Sequence, residues 1–192
     1  MTETGDSDTE GGTSVPDGWE EQLRANRAEK DDFFGEHPQS PIPPEERDDF
    51  DGLAYFDPDP EYRVETAVSV HDDPEPVSME TSDGREIRYE RVVTFEFELD
   101  GEAYELAGYS QPAEDSDTIF VPFRDKTTGQ QTYKGGRYME LEPDRELADG
   151  DRVPLDFNLA YAPFCAFSET FSCPLPPEEN WLETTIEAGE AE

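Results

Sequence analysis

Between Tyr62 and Leu106 apolar side chains return at every second position, and this period of two commits the middle of the chain to extended structure. Tyr62, Val64, Thr66, Val68 and Val70 fall on one face of a strand, with Arg63, Glu65, Ala67 and Ser69 on the other. Val93, Phe95, Phe97 and Leu99 alternate in the same way with Thr94, Glu96 and Glu98. Asp100-Gly101, just before Tyr104 and Leu106, is a two-residue hairpin signature. Asp83-Gly84 marks a second turn, between Val77, Met79 and Ile87, Tyr89. Further short apolar runs follow at Ile119–Phe123, at Tyr138, Met139 and Leu141, at Val153–Phe157, and at Leu182, Thr184 and Ile186. About eight or nine short strands at this spacing, with no long helical run between them, predict a mainly β domain. Several strands keep one polar face, as antiparallel sheets with a wet side do. The expected architecture is a single antiparallel β-sandwich or a partly open barrel.

Ahead of the strands the pattern differs. Residues 1–16 carry Gly, Ser, Thr and acid with almost nothing apolar, and read as a disordered acidic tail. Residues 17–192 read as one β-rich domain that begins with a helix over 17–34. Asp17 with Glu20 has the spacing of a capping box, and Gly35 is a stop signal. The apolar face of this helix is thin, mainly Trp19, Leu23 and Phe34, so the helix is expected on the surface of the body. Prolines at 38, 41, 43 and 44 stiffen the connector that follows.

Charge restricts partners. Against 14 Lys and Arg stand 50 Asp and Glu, a net charge of −36 in 192 residues. The acid is spread along the chain, so self-repulsion opposes a compact state until salt screens it. At molar salt the Debye length is about 3 Å and that repulsion largely vanishes. The composition therefore predicts a halophile's cytoplasmic protein. Nucleic acid and anionic membrane surfaces are excluded as partners. No apolar run reaches the roughly 18 residues of a membrane span, and the N-terminus has no signal-peptide pattern. Nothing in the sequence signals a cofactor.

Two stretches could carry chemistry. Residues 124–138 hold four of the 14 basic residues, a local reversal of sign in an acidic chain. Arg124 and Arg137 offer forked donors for an anion, and the glycines offer free backbone N–H groups. The same two arginines would equally tie loops together through Asp125, Asp156 or Glu190. Residues 156–180 are rich in proline and aromatics, and Phe157 to Phe167 carries no charge. This stretch reads as a covered loop closing one end of the sheet. It brings Asp156, Asn158, Tyr161 and both cysteines, Cys165 and Cys173.

Several blocks here occur together in a known family. They are Ser40-Pro41-Ile42-Pro43, Phe50-Asp51-Gly52-Leu53-Ala54-Tyr55-Phe56, Phe120 to Gly129, Gly136-Arg137-Tyr138, Asp156 to Tyr161, Cys165-Ala166-Phe167, Cys173 to Pro177 with Asn180, and Ala188-Gly189-Glu190. In these blocks the chain resembles the family called domain of unknown function 1684, here as an acidic member of haloarchaeal type. The resemblance implies no activity. Where the family often reads Tyr-Asn-Pro this chain has Tyr161-Ala162-Pro163, so that amide is dispensable.

Three functional readings follow. In the first, a small anionic or carbonyl-bearing ligand sits between the 124–138 and 156–180 loops, oriented by Arg124 and Arg137, packed by Tyr133 and Tyr161, and hydrogen-bonded by Asn158. In the second, an enzyme uses Asp156 or Cys165 at that place. In the third, the loops only lock the fold. For the cysteines, buried free thiols, a disulfide, a metal pair and a nucleophile all fit the sequence. A metal site is weak, because only His37 and His71 remain as partners for four-coordinate zinc; no metal is expected.

Overall fold

A computed structural model describes residues 15–192; most of the expected tail lies outside them. Six strands form one antiparallel sheet: β1 (Arg63–Glu80), β2 (Glu86–Leu99), β3 (Glu102–Ser110), β4 (Ile119–Phe123), β5 (Arg137–Leu141) and β6 (Arg152–Asp156). Their order is β5-β4-β3-β2-β1-β6. The sheet curls into half a barrel, the partly open form of the two expected. Asp100 (φ 54°) and Gly101 (φ 81°) both take positive φ in the β2–β3 hairpin, which is the conformation its tight turn needs.

β1 is a single 18-residue strand where the sequence suggested two short ones. Its pairing with β2 shifts register between Val70 and Glu75, so His71–Pro74 bulge from the ladder. β2 shifts against β3 between Arg91 and Val93 at nearly the same level. Such bulges bend strands and raise local twist. The curl separates two clusters. The larger packs Val64, Val68, Phe95, Phe97, Leu106, Val121, Phe123, Leu155 and Phe157. The smaller packs Met79, Tyr89, Ala107 and Tyr109.

The helix α1 runs Trp19–Glu36. Its N-cap is Gly18 in the left-handed conformation, and no side chain caps it, so Asp17 does not serve as expected. Gly35 lies inside the helix, which ends two residues beyond the expected Phe34. Leu182–Ile186 form no strand of the sheet. That segment follows β4's continuation through Arg124 N–H to Asn180 O (3.1 Å), Leu182 N–H to Arg124 O (2.7 Å) and Lys126 N–H to Thr184 O (2.9 Å). No helix among the described residues is long and apolar enough to cross a membrane.

Candidate functional site

α1 supplies one wall of the site. Trp19, Leu23, Arg27, Lys30 and Phe34 are spaced four, four, three and four, which places them on one helix face. Trp19 Nε1 donates to Asp156 Oδ2 at 2.6 Å, and Leu23 is buried. At the other end the Phe34 ring meets Phe164 and Phe167 edge-on, at 5.9 and 4.9 Å between centroids. Two cations are thus held mid-face, on the side of the helix that packs inward.

Both meet aromatic rings. The Arg27 guanidinium lies 4.5 Å from the Tyr55 ring centroid, and Lys30 Nζ lies 4.7 Å from that of Tyr161. Arg27 donates to the carbonyls of Phe56 (2.8 Å) and Asn158 (3.4 Å). Lys30 Nζ pairs with Glu190 Oε1 at 2.9 Å. Glu190 also accepts from Ala162 N–H. It reaches this place because Gly189 turns the chain at φ 81°, where a Cβ would stand 2.6 Å from Ala160 O. Tyr55 and Glu190 face each other across an antiparallel bridge.

These groups surround a cavity of about 210 Å³ lined by Arg27, Lys30, Tyr55, Asn158, Tyr161 and Glu190, among others. Burial lowers the Arg27 pKa and raises that of Tyr55, so the phenol stays protonated and able to donate. Arg27 Nε and Tyr55 Oη are buried with no hydrogen-bond partner among the described residues. A larger space of about 1260 Å³ is an open groove rimmed by Glu61, Glu65, Glu96, Glu98 and Glu105, whose carboxylates repel anions. A third, about 590 Å³, lies beside Ile42, Phe50 and Phe167 and shares Glu190.

Burial also raises the Glu190 pKa, with Lys30 opposing as the next cause. Above the ordinary glutamate value of about 4.3, the folded state keeps a proton that the unfolded chain has lost. This group's contribution to stability therefore falls as pH rises towards and through its folded value. Glu190→Gln should remove that negative slope. The check is the difference between wild-type and variant unfolding free energies across acid to neutral pH; parallel curves would contradict it.

The two loops named from the sequence lie side by side. Tyr138 and Tyr161 exchange backbone hydrogen bonds of 2.8 and 3.0 Å, and Tyr133 Oη lies 3.5 Å from Cys165 Sγ. The expected ligand residues separate within that arrangement. Asn158 and Tyr161 line the cavity under α1. Asn158 is also a brace: its Oδ1 accepts from Asp59 N–H, and its Nδ2 donates to Asp59 O and Asp156 Oδ1. Tyr161 Oη donates to Glu140 at 2.9 Å. Arg124, Tyr133 and Arg137 line none of the three cavities.

Arg124 instead stacks 4.9 Å from the Trp181 ring. Arg137 is 1% exposed and donates to the carbonyls of Ala188, Glu190 (3.1 Å) and Ile186 (2.9 Å). Its guanidinium stands 3.5 Å from Asp125, whose Oδ2 accepts from Ile186 N–H at 2.7 Å. Asp156 accepts from Trp19 and from Asn158 N–H, a joint between helix and sheet. Cys165 and Cys173 are free thiols. Among the described residues no group of three or more His, Cys, Asp or Glu gathers as a metal site.

Arg27, Lys30 and Tyr55 were absent from the sequence-based site, where Glu190 appeared only as a carboxylate partner for Arg124 or Arg137. The signal for the two cations was present: they share the helix face of Trp19, Leu23 and Phe34.

Comparison with known proteins adds a family. The family described as a protein of unknown function, DUF1684, matches residues 48–191. The chain belongs to that family. Among solved structures, the DUF1684 chain is similar to an uncharacterised protein of Haloarcula marismortui determined in solution by NMR. The two are 69% identical over 92% of this chain and 95% of that one, with a TM-score of 0.74. No curated protein matches this DUF1684 chain.

Proposed function

We infer that this domain binds a small anionic or carbonyl-bearing ligand in the cavity between α1 and the 158–161 turn. Arg27 and Lys30 supply positive charge, Tyr55 donates a hydrogen bond, and Tyr161 and Asn158 shape the floor. One observation carries the reading: Tyr55 Oη and Arg27 Nε are buried, lack a partner among the described residues, and belong to residues of one cavity wall. Each such orphan costs on the order of 1–3 kcal/mol, and an occupant with acceptor oxygens removes that cost. A volume near 210 Å³ suits a few heavy atoms, not a nucleotide. Arg124, Arg137 and Tyr133 then serve the scaffold rather than the ligand. The acidic composition and the Haloarcula relative support a molar-salt working solvent.

The test is thermal unfolding in molar potassium salt at constant ionic strength, with chloride exchanged for formate, acetate, bicarbonate, phosphate or sulfate. One of these anions should raise the melting temperature; at about a hundred times its Kd the stabilisation is about 2.7 kcal/mol. Tyr55→Phe should fold with unliganded stability above wild type by up to about 1–3 kcal/mol, because it removes a buried hydroxyl that has no partner among the described residues. The same variant should lose most of the anion-induced shift. Equal shifts in both proteins would reject Tyr55 as a contact, and no shift with any anion would leave the loops as fold locks only.

A further inference from the structure

Of the 14 basic residues only Lys30, Lys126 and Lys134 are lysines, so eleven are arginine. Lys30 is the one of the three that lines the cavity under α1. Its side chain is 29% exposed, with Nζ 2.9 Å from Glu190 Oε1. The ammonium also lies 4.7 Å from the Tyr161 ring centroid and 5.5 Å from that of Phe34. Arg27, three positions earlier on the same helix face, already supplies a forked cation for a carboxylate. Residues so spaced hold their Cβ atoms about 5–6 Å apart. A guanidinium stays charged, whereas an amine can lose its proton and become a nucleophile. Charge alone would be met by arginine at position 30; an amine there adds a reaction.

We propose that Lys30 is a nucleophile that forms an imine with a small 2-oxo acid held in this cavity. The inference rests on the anion-binding reading above and names its ligand class. Arg27 and Tyr55 take the carboxylate, which turns the adjacent keto carbon towards Lys30 Nζ. Glu190 first accepts a proton from the ammonium, leaving a neutral amine beside a carboxylic acid. The amine attacks the keto carbon, a C–N bond forms, and the C=O π pair moves to oxygen. That oxygen takes the proton from Glu190. The nitrogen then releases a second proton to Glu190, giving a neutral carbinolamine. Glu190 passes this proton to the hydroxyl, the C–O bond breaks, and water leaves as the nitrogen lone pair closes the C=N bond. Overall, one ammonium and one ketone give one iminium and one water, and Glu190 ends as a carboxylate.

The surroundings suit each part of this sequence. Ala162 N–H holds Glu190 Oε2, while Oε1 faces the amine. Burial makes Glu190 a better proton acceptor than an exposed glutamate, with Lys30 opposing as the next cause. Tyr55 Oη and Arg27 Nε, without partners among the described residues, are the donors that meet the substrate carboxylate. The iminium is a cation at the place of the ammonium. The carboxylate and the two rings that hold the ammonium therefore hold the product as well. A cavity of about 210 Å³ has room for a short oxo acid and not for a long-chain one. Lysine imines of this kind split one difficult step at a carbonyl compound into two easier ones.

The experiment incubates the full chain at neutral pH in molar potassium chloride with pyruvate and sodium cyanoborohydride, which reduces an imine to a stable secondary amine. Intact mass and peptide mapping are the readouts. Wild type should gain one adduct at Lys30, with the mass of pyruvic acid less one oxygen, at least about tenfold faster than at Lys126, Lys134 or the N-terminus. Propionate, which has the carboxylate but no keto group, should suppress that adduct and leave the slow background unchanged. Lys30→Arg should show only the background, and Glu190→Gln should form the adduct at least about tenfold more slowly. Melting temperatures of the same samples without reductant separate binding from reaction. A pyruvate-induced rise in wild type with no adduct at Lys30 would overturn the proposal and leave the binding reading standing; neither rise nor adduct would overturn both. Labelling of Lys126 or Lys134 as fast as Lys30, or an unchanged rate in Glu190→Gln, would equally overturn it.

Discussion

Arg137→Met is expected to destabilise the domain more than any substitution in the cavity wall, by about 3–5 kcal/mol. The guanidinium is 1% exposed and holds the last residues of the chain by three carbonyls, with Asp125 opposite. Methionine matches much of the side chain's length but leaves Asp125 buried without its cation and three carbonyls without donors. Removing one partner of a buried pair costs far more than the pair itself contributes. Arg137→Lys should rescue only partly, because a single ammonium cannot span carbonyls on three residues. The check is the denaturant midpoint in molar salt for all three proteins, read with the slope unchanged. A loss below about 1 kcal/mol would show that Arg137 is available for another role. The consequence for function follows from position. Glu190 is one of the residues Arg137 holds, so the variant should also weaken any anion-induced shift.

Asn180→Ala should rank second, at about 2–4 kcal/mol. β3 and β4 share a single paired position, Tyr109 with Phe120, before they diverge. The Asn180 side chain fills the gap as a peptide group would: Oδ1 accepts from Ala107 N–H at 2.8 Å, and Nδ2 donates to Ala107 O (2.9 Å) and Pro122 O (2.7 Å). Alanine strands one donor and two acceptors in a fully buried position, each costing on the order of 1–3 kcal/mol before relaxation. Asn180→Asp should be worse than alanine at neutral pH, since a carboxylate would face two carbonyls. Equal denaturant midpoints for the aspartate variant and wild type would refute this role.

The sheet was readable because its signals are local. The alternation in β2 and the Asp100-Gly101 turn need no distant partner to be understood. β1 was harder. Asp72, Asp73, Pro74 and Pro76 read as a break, yet the strand continues past them. The reason is topological: β6 pairs only with residues 63–67 of β1, so beyond them β1 is an edge that tolerates proline. The apparent last strand at Leu182–Ile186 failed for the opposite reason. Its polar backbone is satisfied by Arg124, Lys126, the Asp125 carboxylate and Arg137, contacts that no periodicity encodes.

The site was legible in part. Asn158 and Tyr161, nominated because they stand beside a charge-free loop, line the cavity under α1. Arg124 and Arg137 drew attention as cations in an acidic chain, but their geometry gives them to an aromatic ring and to carbonyls. Arg27 and Lys30 were passed over because charged residues in a helix are normally assigned to the solvent side. Their spacing with Trp19, Leu23 and Phe34 said otherwise. The cysteines stand eight positions apart, a separation that left their state open; both are free thiols.

A crystal structure of the full chain grown with the anion that raises its melting temperature tests the central claim most directly. The expected density is a compact oxygen-bearing group between Arg27 and Lys30, within hydrogen-bond distance of Tyr55 Oη. Density for that anion only at the protein surface, with the cavity closed by a shift of α1, would contradict it.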